Sequence, residues 1–287
     1  MSSAIPTRYK LLVSDIDGTL VGPLGHVRRA DREAVAALLA RGVDVTLCTG
    51  RMFSGTQPLA LELGLDAPLA CVDGSHVAHS RTGEALACAG LAEDAIRVLC
   101  DVLHRHEAAP FALSDELLFH DHDGEEHLDY MRLWSRETRV VSGLLREDSW
   151  YVGRTVPAML ALATEDRIRA AERVLANRAS SLLQTIVFES QSVFADGTRP
   201  WALLVRAAGI DKGTGVAWLA EHYGISVDEI VAVGDWVNDI PMLERVGLSF
   251  AMAQAPEGVQ DAADEVLASD DESGGAIAEV ARRVGWL

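Results

Sequence analysis

The chain has 287 residues, 49% hydrophobic and 24% charged, which excludes disordered and fibrous classes and leaves one large or two moderate domains, two being the preferred reading. Its 25 basic and 43 acidic residues give a net charge of −18, a field that repels phosphates and opposes a general nucleic-acid or anionic-membrane role. No apolar run approaches a membrane span, Met1 to Thr7 lack a secretory pattern, and Cys48, Cys71, Cys88 and Cys100 show no C-x-x-C spacing, so they read as reduced thiols of a cytoplasmic protein.

The first element, Lys10 to Val13, reads as a short buried strand of a parallel sheet that stops at Asp15 and Asp17, with Gly18 permitting a sharp turn. Ligands in open α/β sheets sit at that carboxyl edge. In a continuing strand Asp15 and Asp17 would share a face and repel, which calls for a cation. Taken alone, Asp-x-Asp-Gly is equally a cap or turn.

Asp31 to Gly42 reads as a helix with Asp31 as its capping acid and Gly42 as its stop. Val43 to Cys48 alternates as a second strand and ends in Thr49-Gly50-Arg51, where a hydroxyl, a backbone N–H and a fixed positive charge make an anion site. Leu69 to Val72 is a third apolar run, ending in Asp73-Gly74-Ser75, and for Asp73 turn geometry and substrate contact are both open.

From about Glu84 to Arg199 no strand ends in such a cluster. Helices are expected at Leu91 to His106 and Glu165 to Ala179, and strands at Leu117 to Phe119, Met159 to Ala163 and Thr185 to Phe188, as an inserted α+β module with its own core. In the run His120 to His127, His120 and His122 would share a strand face as zinc ligands do, but nothing is spaced to complete a site, so a solvated loop is preferred. Trp134, Trp150 and Tyr151 could stack on a ring or form the module's core.

The core pattern returns with Ala202 to Val205, and Gly209 to Gly215, with Lys212 inside it, opens the helix Val216 to Tyr223. Ile230 to Val233 is a fourth strand, ending in Gly234-Asp235-Trp236-Val237-Asn238-Asp239; Leu248 to Met252 is a fifth, and Gly275 to Val284 is helical. The expected domains are residues 1–84 with 200–287, and 85–199.

Four strand-end clusters in this order resemble the haloacid dehalogenase superfamily of aspartate-nucleophile phosphatases, and within it the Cof-type (class IIB) subgroup. Asp15-Ile16-Asp17-Gly18-Thr19 is similar to the first family motif, Thr49-Gly50-Arg51 to the second, Lys212-Gly213 to the third and Gly234 to Asp239 to the fourth. Ala251 to Ala255 is also Cof-like, except that the subgroup usually has Asn where Gln254 stands. Asp15 and Thr49 are 34 residues apart and Thr49 and Lys212 are 163 apart, so an insertion can lie only in the second interval. The fold implied is α/β, a Rossmann-like parallel-sheet core with an inserted α+β cap of C2 type.

The resemblance implies Asp15 as nucleophile, Asp17 as the acid and base that serves the leaving oxygen and water, and Thr49, Gly50, Arg51 and Lys212 as phosphate-binding groups, although Arg51 could instead meet a core carboxylate. An acid role for Asp17 requires an environment that raises its pKa. Mg²⁺ is the implied cofactor, held by Asp15, the Asp17 carbonyl and Asp235, with Asn238 and Asp239 nearby. The expected activity is hydrolysis of a small phosphorylated metabolite, foremost a sugar phosphate, by a monomer or homodimer. A phosphomutase and a non-catalytic phospho-ligand-binding protein are the alternatives.

Overall fold

The computed structural model describes residues 8–23, 25–114, 116–132, 135, 137–190, 192–193 and 197–287. The chain divides into two compact units, one of Met1–Gly50, Thr56–Leu86 and Asp211–Leu287, the other of Arg51–Gly55 and Ala87–Ile210.

The first unit opens with β1 (Leu11–Ser14), whose four residues are all buried, as an uninterrupted apolar run requires of a strand covered on both faces. It continues through α1 (Arg29–Ala40), β2 (Asp44–Leu47), α2 (Phe53–Glu62) from Thr56 onward, β3 (Pro68–Cys71), β4 (His76–His79) and the first half of β5 (Ala85–Cys88). The second unit contributes α3 (Glu93–Arg105), β6 (Ala109–Ser114), β7 (Leu117–His120), α4 (Leu128–Met131), β8 (Thr138–Val140), β9 (Ala158–Ala163), α5 (Glu165–Ala179), β10 (Leu183–Glu189) and β11 (Trp201–Ala207). The chain then re-enters the first unit with α6 (Lys212–Tyr223), β12 (Ile230–Gly234), α7 (Ile240–Leu243), β13 (Leu248–Ala251), α8 (Glu257–Ala262), β14 (Glu265–Val266) and α9 (Ala276–Arg283).

The first unit's main sheet is parallel and runs β14-β13-β12-β1-β2. Successive strands step away from β1 on one side through β2, and the returning chain steps away on the other through β12 to β14. β1 and β12 therefore flank the switch point where such sheets bind ligands. Their register pairs Ser14 with Val233, so Asp15 and Asp235 leave the sheet at the same edge. β3 joins this sheet beyond β2 by one bridge, Cys48 to Ala70, and belongs to a separate sheet with β4 and β5.

Asp31 does not cap its own helix. Arg28 occupies the N-cap of α1, and Asp31 is fully buried within the first turn, accepting hydrogen bonds from the N–H groups of Gly275 (2.9 Å) and Ala278 (3.1 Å). It thus satisfies orphan donors at the start of α9, a cap supplied from 244 residues away that local spacing cannot reveal.

The second unit is built on a six-stranded sheet of order β10-β11-β9-β6-β7-β8, antiparallel apart from the β7 and β8 pair. Its core includes Leu99, Phe119, Trp150, Tyr151, Met159 and Ile168, so Trp150 and Tyr151 serve the interior, and the Trp150 indole donates to Leu144 O at 2.7 Å. Trp134 lies outside the described residues.

Ala202 to Val205 does not mark the return of the first unit. These residues lie in β11, where Leu203 pairs with Ala161 of β9 and Val187 of β10, and the first unit resumes at Asp211. A wholly apolar run reads alike in the centre of either kind of sheet, so composition could not assign it. The histidine run is not a solvated loop throughout. His120 ends β7 and is buried, His127 is buried with Nδ1 2.9 Å from Ser192 Oγ, and only His122 is exposed, paired with Glu125 at 2.8 Å.

Candidate active site

The site of the first unit begins where β1 stops. Asp15 keeps one backbone tie to the sheet, its N–H donating to Val233 O at 3.0 Å, and the residue is 5% exposed. The strand does not continue, so Asp15 and Asp17 do not share a strand face; Asp17 is exposed. Gly18 makes the turn possible for two reasons. Its φ is +83°, and a Cβ there would lie 2.2 Å from Asp235 Oδ2.

Lys212 arrives from the opposite end of the chain as the first residue of α6. Asp211 caps that helix in a reciprocal pair, accepting from Thr214 N–H at 2.8 Å while Thr214 Oγ1 accepts from Asp211 N–H at 3.0 Å. Gly74 and Gly215 allow close approach behind it, since a Cβ on Gly74 would sit 2.6 Å from Asp211 O. The side chain of Lys212 is 1% exposed, and its ammonium donates to Asp15 Oδ1 and to Asp239 Oδ1, each at 2.5 Å. A lysine that sequence alone allows to be a solvated loop residue is therefore a buried counter-ion.

β12 delivers the last carboxylates. Asp235 Oδ1 accepts from Thr19 Oγ1 at 2.8 Å, and Asp239 Oδ2 accepts from the N–H groups of Asp235 and Trp236, both at 2.9 Å. Asp239 has no exposed surface and both of its oxygens are engaged, so it holds Lys212 on one side and the Asp235 backbone on the other. Asn238 donates from Nδ2 to Asp73 Oδ1 at 2.7 Å. Thr49 is buried at the end of β2, its N–H bonded to Ala70 O and its carbonyl to Asp73 N–H, both at 2.9 Å, and Gly50 packs against Asp73.

Asp15, Asp17, Thr49, Gly50, Lys212, Asp235, Asn238 and Asp239 are thus all carried by the first unit. Arg51, next in the chain, groups with the second unit. Gln254 spends its amide on the first loop, donating to Gly18 O at 2.7 Å and accepting from Asp271 N–H at 3.2 Å. Sequence reading assigns no role to Thr19, although a hydroxyl two positions past Asp17 is the available signal; for Asp73 no signal separates turn from site.

The electrostatics of the cluster are unbalanced. Burial pushes the Asp15 carboxyl well above its ordinary range; Lys212 pulls it back, and Asp239, Asp235 and Asp17 push it up again. Burial, then Asp239, drives Asp235 up to about 7 against the hydrogen bond from Thr19 and the charge of Lys212. Burial alone would lower Lys212, but Asp15, Asp239 and Asp73 outweigh it and keep the ammonium charged.

Asp15, Asp235 and Asp239 each offer an oxygen within 4.8 Å of the others, so three buried carboxylates face one ammonium. Lys212 takes one oxygen of Asp15 and Thr19 one oxygen of Asp235, which leaves the second oxygen of each for a cation. An all-oxygen donor set with surplus buried negative charge suits a hard divalent ion such as Mg²⁺.

Residues 12–280 match the family model of the haloacid dehalogenase-like hydrolases. The chain belongs to that family. The hydrolase is 26% identical over 273 residues to the 5-amino-6-(5-phospho-D-ribitylamino)uracil phosphatase YitU of Bacillus subtilis, covering 93% of this chain and 95% of that protein. It is 26% identical over 263 residues to the HMP-PP phosphatase of Citrobacter koseri, covering 86% of this chain and 85% of that one.

Among solved structures, a haloacid dehalogenase-like hydrolase from Bacteroides thetaiotaomicron superposes with a TM-score of 0.80 at 22% identity, over 96% of this chain and 99% of that one. The HAD subclass IIB sugar phosphatase BT4131 superposes with a TM-score of 0.78 at 21% identity, over 97% and 100%. The fold is accordingly a Rossmann-like core with an inserted α+β cap, and the enzyme class is that of a phosphoric monoester hydrolase. Phosphatases of this superfamily generally use Mg²⁺. Among the described residues no helix is long and apolar enough to cross a membrane.

Proposed function

We propose that this hydrolase is a Mg²⁺-dependent phosphatase of a small phosphorylated metabolite, foremost a sugar phosphate, that works through a phosphoaspartate on Asp15. What carries the reading is the convergence of Asp15, Asp235 and Asp239 on Lys212 at the switch point of the sheet. The relatives that act on a phosphorylated ribitylaminouracil and on HMP-PP support a small phosphorylated substrate.

Asp15 attacks phosphorus, and the bond to the leaving oxygen breaks as that oxygen takes a proton from Asp17. Asp17 then takes a proton from water, which attacks the acyl phosphate and returns Asp15 as a carboxylate with release of inorganic phosphate. Lys212 balances charge on the transferring phosphoryl group, while the Thr49 hydroxyl and the Gly50 N–H bind its oxygens. Asp15 and Asp235, with the Asp17 carbonyl, would hold Mg²⁺, and Asn238 and Asp239 would support them. The bound ion supplies neutralisation of the anionic reactants, without which two anions repel. In this reading the inserted unit, residues 85–199 by sequence, is the specificity-bearing cap.

Inorganic phosphate release from an aryl phosphate and from a panel of phosphorylated metabolites tests this. Asp15→Asn should lower kcat by about 10⁴-fold or more, and chelation should abolish turnover until Mg²⁺ is restored. Unchanged turnover in Asp15→Asn refutes the nucleophile.

A further inference from the structure

The turn after β3 is unusual in its backbone. Val72 and Asp73 are successive non-glycine residues in the left-handed region, with φ of +49° and +50°. A β-branched residue is a strong outlier there, and such strain collects at functional sites. The turn also joins motifs that are far apart in sequence. Asp73 N–H donates to Thr49 O at 2.9 Å, a Cβ on Gly50 would lie 3.6 Å from Asp73 Oδ1, and that same oxygen accepts from Asn238 Nδ2 at 2.7 Å. The side chain of Asp73 is 1% exposed.

The chemistry of that last bond constrains Asn238. An amide carries donors on nitrogen and lone pairs on oxygen, and only the nitrogen can face an accepting carboxylate oxygen. We propose that Asp73 is a positioning residue that fixes the Asn238 carboxamide with its oxygen turned away from Asp73, available to the cation site that Asp15 and Asp235 build. This rests on the assignment of Asp235 and Asn238 under Proposed function. The backbone N–H of the same residue ties the Thr49–Gly50 loop to that point, so one buried residue sets the spacing of two motifs.

A residue that served only the turn would behave differently. At φ +50° and ψ +41° glycine is at least as comfortable as aspartate, so Asp73→Gly would be silent or stabilising if geometry were the whole role. The test is calorimetric titration of the metal-free full chain with Mg²⁺, alongside kcat and KM for phosphate release, for Asp73→Gly, Asp73→Asn, Asn238→Ala, the Asp73→Gly/Asn238→Ala pair and Asp235→Asn.

Asp73→Gly is expected to melt no lower than wild type, to bind Mg²⁺ about 10-fold more weakly, and to lose more in kcat than in KM. The double variant should match Asn238→Ala alone, because both changes remove one unit. Asp73→Asn retains an acceptor and tolerates the backbone but no longer forbids rotation of the Asn238 amide, so it should show a smaller loss in the same direction. Wild-type Mg²⁺ affinity in both Asp73 variants, or additive losses in the double variant, overturns the positioning role while Asp235→Asn remains impaired. If Asp235→Asn also binds Mg²⁺ normally, the site assignment beneath it fails instead.

Discussion

The two units differ in where they gather buried charge. In the first, Asp15, Asp31, Asp73, Lys212, Asp235 and Asp239 are all less than 9% exposed, and the ion pairs of Lys212 lie wholly inside. In the second, the helices carry their charges as i,i+4 pairs on the surface, such as Arg97 with Glu93 and Arg169 with Glu165, over an apolar core. Burying charges costs several kcal/mol per ion before any pairing is counted. The first unit concentrates this cost in one cluster, where the chemistry is proposed, whereas the second, which also buries Arg206, carries the ion pairs of its helices at the surface.

The sharpest way to break this contrast is to remove the buried cation. Lys212→Met leaves Asp15 and Asp239 facing each other without a counter-charge and should destabilise the protein by about 3–5 kcal/mol, read from denaturant unfolding. A loss below about 1 kcal/mol would mean that the buried cluster behaves like a surface pair.

A smaller effect is expected at Glu279 on α9, which accepts from the Ala268 and Ser269 N–H groups, both at 2.9 Å, from the Ser269 hydroxyl at 2.6 Å and from Arg283 at 2.5 Å. Burial alone would raise this carboxyl, but these donors outweigh it and bring its pKa down to about 2. Because the folded value lies below the ordinary 4.5, the stabilisation is present above about pH 4.5 and is lost as pH falls toward 2. Glu279→Gln should therefore cost at most about 3 kcal/mol at neutral pH, and thermal melts from pH 7 to pH 3 should show its gap from wild type narrowing. A gap that holds constant would assign the effect to packing.

The least change is expected on the surface of the second unit. Arg105 bonds Asp101 at 2.9 Å with 70% of its side chain exposed, and Asp101 is also held by Arg178 at 3.0 Å. Arg105→Ala should shift stability by no more than about 0.5 kcal/mol, with little further change on adding salt. A larger loss would show that surface charge in this unit contributes as the buried cluster does, and the contrast would disappear.

Much of the site was legible because strand ends repeat a pattern. Asp15, Thr49, Lys212 and Asp235 each follow an apolar run or open a helix, and the structure gathers them in the first unit. What could not be read were side chains whose partners lie far along the chain. Asp31 looked like the cap of α1 and caps α9; β11 looked like the core strand it resembles and belongs to the second sheet; Asp73 reads as turn or site alike, and its 2.7 Å bond to Asn238 joins positions 165 apart. Asp17 was expected in surroundings that raise its pKa and is exposed.

By itself, the sequence determined the alternation of short buried strands and helices, the interrupted core, and the residue types that can handle a phosphoryl group, because hydrophobic period and turn chemistry are local properties of the chain. Only the tertiary structure decided which carboxylate oxygens meet Lys212, which helix each acid caps and to which sheet an apolar run belongs. Those outcomes depend on desolvation and on hydrogen bonds between residues up to 244 positions apart, and neither is encoded in any single stretch.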